Sequence, residues 1–512
     1  MPPHPDPSRQ PLLADAPQDG ESVAAPPSKT FTPTFGAAAA YGILVSIVIG
    51  SGVFTSPGAI DTNVPSPGMA LVMWLTGGLL AWAGANTLAE LGTAIHGEGG
   101  VQPYLQYIYG DLAGFLAAWT WIMAVMPATI AILSIVFVES IYSALGVTDR
   151  ADTLAHKGLS VLVLVVVSLA NSISTRVSTH LSRFFLGTKF TSILLVVVAG
   201  LAVVVLQTSQ PGRTDIGGRD WFVRSWFAYR DTVHPDGHRT VWQDVGAWEM
   251  LGHCSTAIYG ALWAYSGWDK AIYISSELKD PSRQLPLTIN TAIPTIVLCF
   301  FVANAAYYIL LPWDVVSTSD SVAVTAISRL LGVRFGILAA VLICLVVAGS
   351  ILGNSLVVGR MTVAAANKGW FPRLFTVIGR VGLPKDRRSS PDTPSSSSTA
   401  FDAPVNAVLL SMALSALYIL FGDFRSLLTF NGLGEYTFFF LTVLGAIILR
   451  WREPDLTRPY KPLLIIPVVF ALVSGFVIVR GAAFAPVQAL VLVVLWAIGL
   501  VVYWVKMRWF AS

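Results

Sequence analysis

Charged side chains are scarce in this sequence. Asp, Glu, Lys and Arg together make up 12% of the 512 residues, against about 25% in a typical soluble domain. Hydrophobic residues make up 54%, and the mean hydropathy is +0.66. A chain this poor in charge and this rich in apolar residues is not an ordinary soluble protein. The composition indicates a membrane protein that crosses the bilayer many times.

Cysteines and the motifs of enzyme active sites are also few. The chain has no phosphate-binding G-x-x-x-x-G-K-[ST] loop, no H-E-x-x-H or paired C-x-x-C metal motif and no G-x-S-x-G nucleophile motif. We therefore expect no enzymatic activity, no metal, no cofactor and no nucleic-acid partner. All three cysteines lie in apolar runs, so we expect buried thiols and no disulfide framework: Cys254, Cys299 and Cys344.

The N-terminal residues contain no apolar segment of the kind that forms a secretory signal. Residues 1–30 are rich in Pro, Ser and Asp, which predicts a disordered cytosolic tail. Residues 383–403 have a similar composition and predict a low-complexity cytosolic loop. We expect residues 31–512, which include that loop, to form one membrane domain.

Membrane spans can be located from the apolar runs, because a helix that crosses the bilayer needs about 20 mostly apolar residues. Twelve runs are candidates: 35–60, 69–91, 110–145, 158–171, 184–206, 251–275, 287–311, 333–365, 404–421, 427–449, 463–479 and 485–505. Lys and Arg are concentrated in the loops on the side of both termini. The positive-inside rule therefore predicts a multi-pass protein with both termini in the cytosol, and we expect it in the plasma membrane. The opposite loop, 207–250, is rich in aromatic residues, which predicts an ordered extracellular cap.

Two of these spans contain sequences that interrupt a helix. The first carries IGSGVF at 49–54, and the sixth carries AYSGW at 264–268. Glycine weakens a helix, and backbone groups freed inside a membrane are tolerated only where they face a cavity or other protein. Two interrupted helices about 215 residues apart predict a transporter built from inverted repeats. We expect repeat one at about 35–206, repeat two at about 251–449 and two accessory helices at 463–505.

A helix break exposes N–H donors at one end and C=O acceptors at the other. The donor end attracts a carboxylate and the acceptor end an ammonium, so two breaks side by side match a zwitterion. The alternative is that the glycines only let neighbouring helices pack closely. The predicted binding residues are Val48, Gly50, Ser51, Gly52, Val53, Trp263, Ala264, Tyr265 and Ser266.

Several of these motifs also carry a family resemblance. IGSGVFTSPG (49–58) resembles the first helix of the L-type amino acid transporters of the amino acid–polyamine–organocation superfamily, and LWAYSGW (262–268) resembles their sixth. DPSRQLP (280–286) and LRWREPDLTRPYK (449–461) resemble the short segments that follow helices six and ten. The resemblance extends in order from about residue 35 to the C-terminus, and the Pro/Ser-rich tail and loop make it most similar to a fungal branch.

The resemblance implies an all-α integral membrane protein with a LeuT-type fold. That fold has twelve helices, arranged as a 5+5 inverted repeat with two accessory helices. The family moves neutral, and sometimes cationic, amino acids by alternating access. The resemblance also gives roles to individual residues. Trp263 would close over the substrate as a gate, although a packing tryptophan is the alternative. Lys189 would occupy the place of a sodium ion beside the first helix, although a lysine that extends to the membrane interface is the alternative.

Glu435 lies inside the tenth span, where a carboxylate is costly and indicates function. The resemblance places it near the substrate side chain, where better-known members carry a neutral residue. It could couple transport to protons, shape a polar pocket, or pair with Arg425 or another cation. Asp269 and Lys270 follow the second break and can pair with each other or with other neighbours; we favour other neighbours because adjacent helical residues point apart.

The predicted function is a sodium-independent plasma-membrane permease for zwitterionic L-amino acids, with neutral side chains that are large or contain sulfur. Two alternatives remain open, a polyamine or cationic amino acid permease and an amino-acid sensor that does not transport. The expected partners are the small-molecule substrate and the lipid bilayer. Animal L-type members bind a heavy chain through a cysteine between spans three and four. The loop at 146–157 has no cysteine, so we expect no covalent heavy-chain partner.

Overall fold

A computed structural model describes residues 36–95, 100–147, 154–173, 175–210, 216–235, 237–272, 278–377 and 404–510. The predicted tail at 1–30 and the low-complexity loop at 383–403 lie outside the described residues. The α-helices are Ala37–Val48, Gly52–Asp61, Pro67–Ala94, Val101–Tyr109, Asp111–Thr120, Met126–Ala144, Leu154–Ile173, Thr175–Ser209, Asp220–Val223, Ala247–Ala264, Pro281–Leu310, Trp313–Val316, Val322–Leu331, Val333–Asn367, Val405–Phe421, Phe424–Arg452, Ile465–Phe484 and Pro486–Phe510.

Three short helical segments and one hairpin complete the described structure. A π-helical turn, Trp121–Val125, joins the two halves of span three, and 3₁₀ turns occupy Trp268–Ile272 and Arg373–Thr376. Two short antiparallel strands, Thr232–Val233 and Arg239–Thr240, form the hairpin. The architecture is therefore all-helical apart from one small hairpin in a loop.

Twelve spans account for the long helices. In the described part of the chain, eight helices are long and apolar enough to cross a bilayer alone. Spans one and six are the interrupted ones, while spans four and nine contain the shorter apolar stretches Leu154–Leu169 and Val405–Phe421. The all-helical, twelve-span fold predicted from the sequence is thus confirmed.

The two halves of the chain repeat the same local geometry. A short helix, Val101–Tyr109, precedes span three and ends at Gly110, where φ is 93° and ψ is 177°. A second short helix, Val322–Leu331, precedes span eight and ends at Gly332, where φ is 92° and ψ is 168°. Both long spans begin directly after these glycines. This correspondence indicates that spans six to ten repeat spans one to five. Because each repeat has an odd number of spans, the second repeat has the opposite orientation in the membrane.

Several boundaries differ from the sequence prediction. Span five continues to Ser209 and span six begins at Ala247, so the connecting loop is shorter than 207–250. Span seven begins earlier than predicted, at Pro281, because proline is well suited to the first turn of a helix. The short helices before spans three and eight were not predicted, since each has too few apolar residues to register as a span.

The end of the bundle that carries this loop, which we name the loop end, is held by buried polar contacts. The Arg230 side chain donates to both oxygens of the Asp61 carboxylate at 2.5 Å and to the carbonyl of Trp313 at 2.7 Å. The Tyr308 hydroxyl also donates to Asp61, at 2.6 Å. Asp61 is the last residue of span one and is fully buried. One arginine therefore fastens the loop to span one and to the short helix Trp313–Val316 that follows span seven.

Asp61 is followed by two residues that tie span one to further elements. Thr62 donates to the carbonyl of Ser317 at 3.0 Å and accepts a hydrogen bond from Arg425 of span ten at 2.6 Å. The Asn63 side-chain oxygen lies 2.9 Å from His253 Nδ1 in span six. These contacts join spans one, six and ten at the loop end.

The opposite end of the bundle has its own ion cluster. Glu90, which is 1% exposed in span two, contacts Arg450 at 2.5 Å and Arg458 at 3.3 Å. Arg458 also donates to the carbonyls of Leu449 and Glu453. The segment LRWREPDLTRPYK therefore folds back on the end of span ten and fastens it to span two.

Candidate substrate site

The break in span one leaves backbone donors without partners. Helix Ala37–Val48 ends as the N–H of Ile49 donates to the carbonyl of Val45 at 2.9 Å. The helix resumes at Gly52. Within the described chain, no backbone hydrogen bond is formed by the N–H groups of Ser51, Gly52 or Val53. Three adjacent N–H groups at a helix start form a site that favours a negative charge.

The break in span six has a different geometry. Helix Ala247–Ala264 ends in two short turns, in which Tyr265 N–H donates to Ala261 at 3.1 Å and Ser266 N–H donates to Trp263 at 3.0 Å. Gly267 then adopts a φ of 105°, which is unfavourable for any residue with a side chain. The span continues as the 3₁₀ turn Trp268–Ile272.

The two breaks lie against each other, and a cavity opens beside them. A Cβ atom on Gly52 would overlap the Cα atom of Ala264, so only glycine allows this approach. The cavity has a volume of about 90 Å³. Residues of spans one, three, six, eight and ten line it: Ile47, Val48, Gly50, Ser51, Gly52, Trp121, Val125, Met126, Thr129, Leu133, Trp263, Ala264, Ser266, Gly267, Lys270, Ser350, Asn354 and Glu435.

Comparison with known proteins agrees with this geometry. The model of the family described as amino acid permease matches residues 35–505. The chain belongs to this family. The human b(0,+)-type amino acid transporter 1 is 28% identical over 436 residues, which cover 85% of this chain and 80% of that protein.

Two further relatives are similar over comparable lengths. The mouse large neutral amino acids transporter small subunit 2 is 27% identical over 93% of this chain and 81% of its own length. The human cystine/glutamate transporter is 26% identical over 91% of this chain and 85% of its own length. These relatives confirm the resemblance to L-type transporters and a transport function in place of an enzymatic one. The fungal branch stays a prediction.

Most of the predicted binding residues line the cavity of this permease. They are Val48, Gly50, Ser51, Gly52, Trp263, Ala264, Ser266 and Glu435. Val53 and Tyr265 are not among the lining residues. The Val53 side chain is fully buried in the core, and the Tyr265 ring packs against Phe300 at 5.0 Å and Trp74 at 6.1 Å. Successive residues in a helical segment point in different directions, so only part of each break faces the cavity.

Lys189 lies apart from the cavity wall. Its side chain is 8% exposed in helix Thr175–Ser209 of span five, and it is not among the lining residues. Its predicted place beside the first helix, in the position of a sodium ion, stays a prediction.

The sequence did not indicate the contribution of spans three and eight. Trp121 begins the π-helical turn in span three, and such turns are frequent at functional sites. Thr129 lies one turn after Val125, where that segment ends, and donates to the Asn431 side chain in span ten at 3.3 Å. Ser350 and Asn354 are polar residues one turn apart in the apolar span eight. That polar pair was the signal from which the contribution of span eight to the cavity could have been predicted.

The charged residues near the cavity pair differently from the sequence expectation. Asp269 and Lys270 contact each other, with Lys270 Nζ 2.6 Å from Asp269 Oδ2. Of the two pairings that the sequence left open, the contact between them is the one present among the described residues, in a segment that forms the tight 3₁₀ turn Trp268–Ile272. Arg425 pairs with Asp320 at 2.8 Å, so this arginine is not the partner of Glu435.

Proposed function

We propose that this protein is a sodium-independent, plasma-membrane permease that carries zwitterionic L-amino acids by alternating access. The observation that supports it most directly is the group of unbonded N–H groups at Ser51, Gly52 and Val53 beside the cavity. A substrate carboxylate would accept hydrogen bonds from these groups. Membership of the amino acid permease family makes an amino acid the natural carboxylate.

The substrate ammonium would be bound by carbonyl groups at the two breaks. Val48 lines the cavity at the end of the first half-helix, where carbonyls lack intrahelical partners. Ala264 and Ser266 occupy the corresponding place in span six. The Trp263 carbonyl already accepts the N–H of Ser266, so this residue would act through its ring, which forms part of the cavity wall. Closure of that ring over the substrate is the proposed gate.

Orientation and partners follow from the same proposal. Both termini lie in the cytosol, as the positive-inside rule predicts. No heavy chain is attached through a disulfide, because the loop at 146–157 has no cysteine. All three cysteines of the chain, which are free thiols, lie within spans.

The transport activity is tested by uptake of labelled amino acids into proteoliposomes that contain the purified protein. Saturable uptake of at least one L-amino acid, with competition by unlabelled substrate, is the expected result. Binding without flux for every amino acid would favour the sensor alternative and contradict a permease.

Independence from sodium is the first testable prediction. Replacement of Na⁺ by choline should leave uptake unchanged, because the Lys189 ammonium would occupy the sodium position. Lys189→Ala should reduce uptake by about tenfold or more, since a buried charged group that organises neighbouring carbonyls is worth at least about 1.4 kcal/mol. Uptake with and without Na⁺ measures both effects.

Lys461→Ala is the matched control, because Lys461 is exposed near the start of span eleven. This variant should transport normally. A strict Na⁺ requirement of the unmodified protein would overturn the proposed role of Lys189, as would full activity of Lys189→Ala.

A further inference from the structure

Glu435 is the one cavity-lining residue whose carboxylate is buried without a partner in the described structure. Glu435 is 6% exposed and lies on the wall of the cavity, in the middle of span ten. No hydrogen bond or ion pair from the described residues reaches this carboxylate. A buried charge without a partner is unfavourable, so a site that retains one is suited to an oppositely charged ligand.

Neighbouring side chains hold Glu435 in this position. Asn431, one turn before it, accepts a hydrogen bond from Thr129 of span three. Tyr436, the next residue, accepts one from the Trp268 indole at 3.3 Å. Span ten is therefore attached on both sides of Glu435, and the carboxylate is fixed relative to spans three and six.

The described cations nearest to Glu435 form their ion pairs with other carboxylates. Lys270 also lines the cavity, and its ammonium contacts the Asp269 carboxylate at 2.6 Å. Arg425, the nearest arginine of the same helix in sequence, bonds Asp320, Thr62 and the carbonyl of Ser317. Among the described residues, the one ammonium on the cavity wall thus has its ion pair with Asp269 and not with Glu435.

We propose that Glu435 forms a subsite for a cationic side chain, so that the preferred substrates are amino acids with a basic side chain such as lysine or arginine. The inference rests on the proposed function, because the two helix breaks must bind the α-carboxylate and α-ammonium. With those groups held at the breaks, the side-chain cation contacts Glu435. It supplies the ion pair that the described residues do not.

Other side-chain classes fit this wall less well. A hydrocarbon side chain would leave the carboxylate buried and unpaired, which is the costly arrangement. An acidic side chain would be repelled by Glu435 and would find Lys270 already paired with Asp269. The cavity thus favours the cationic alternative over the neutral side chains expected from the sequence.

Uptake of L-lysine, L-arginine, L-leucine and L-glutamate into proteoliposomes tests this subsite. The unmodified protein should take up the two basic amino acids with the highest kcat/KM. In Glu435→Gln, kcat/KM for L-lysine should fall by at least about 30-fold, because loss of one partner of a buried ion pair typically costs 2 kcal/mol or more. The ratio of kcat/KM for L-lysine to that for L-leucine should fall with it, since glutamine keeps the volume of the side chain and removes its charge.

Glu249→Gln is the matched control, because Glu249 is an exposed glutamate at the loop end of span six. It should transport lysine as the unmodified protein does. An unmodified protein that carries leucine but not lysine would overturn the cation subsite and leave the proposed function intact. Leucine uptake driven by a proton gradient, without lysine uptake, would instead assign proton binding to Glu435 and also overturn the proposal. No uptake of any amino acid would contradict the proposed function itself.

Discussion

Gly52→Val should abolish substrate binding and transport, with uptake reduced about 100-fold or more. Any Cβ atom at this position would overlap the Cα atom of Ala264, so the two breaks must move apart. The N–H groups of Ser51, Gly52 and Val53 would then no longer face the acceptors of span six. A displacement of about 1 Å at a site of this kind costs roughly 100-fold in function. Binding to purified protein and uptake into proteoliposomes measure the loss.

Gly158→Ala is the control for this prediction. Gly158 lies inside helix Leu154–Ile173, and a Cβ atom there meets nothing within 4 Å. This variant should fold and transport normally, because alanine is favoured over glycine in a helix. Size-exclusion chromatography of both variants separates a failed site from a failed fold. Normal substrate affinity in Gly52→Val would contradict the assignment of the zwitterion site.

Arg230→Gln should lower the free energy of unfolding by about 3–5 kcal/mol, the usual effect of removing one partner of a buried ion pair. The Arg230 side chain is 6% exposed and its partner Asp61 is fully buried. Without the arginine, the Asp61 carboxylate keeps only the hydrogen bond from Tyr308 among its described contacts. The loop would also lose its bond to the carbonyl of Trp313. Denaturant unfolding in detergent, followed by tryptophan fluorescence, measures the change.

Arg239→Gln provides the comparison within the same loop. Arg239 also pairs with an aspartate, Asp231, at 2.9 Å, but its side chain is 65% exposed. Exposed pairs contribute about 0–1 kcal/mol, so this variant should be nearly as stable as the unmodified protein. The double variant Asp61→Asn/Arg230→Met should recover much of the lost stability, because it leaves no buried charge unpaired. Equal unfolding midpoints for Arg230→Gln and Arg239→Gln would show that the buried pair does not hold the loop.

The positions of the two helix breaks were predictable because their cause is local. Gly50 and Gly52 within an apolar run weaken the helix at that point, whatever surrounds it. Gly267 adopts a positive φ that few other residues tolerate. The membrane spans were predictable for a similar reason, since the length of an apolar run alone decides whether it can cross a bilayer. Boundaries shifted where a cap extended a helix, as at Pro281.

The cavity wall depended on contacts that no local pattern contains. The sequence did not show which face of span three or span eight turns toward the breaks, because the lipid-facing and protein-facing sides of a membrane helix are both apolar. Trp121 and Asn354 therefore became visible as lining residues only in the folded chain. The sequence also did not show the ion-pair partners of Arg425 and Lys270, because these partners depend on which groups the fold brings within reach.

The membrane class, the spans, the two breaks and the family of this protein can thus be inferred from the amino-acid order alone, because length, composition and glycine placement act locally. Which residues meet around the cavity depends on the folded arrangement of the spans. That arrangement brought Gly52 against Ala264, and it left the Glu435 carboxylate on the wall without a partner among the described residues. Such facts depend on how distant spans pack, and packing is a property of the whole chain, because each contact is fixed by the others around it.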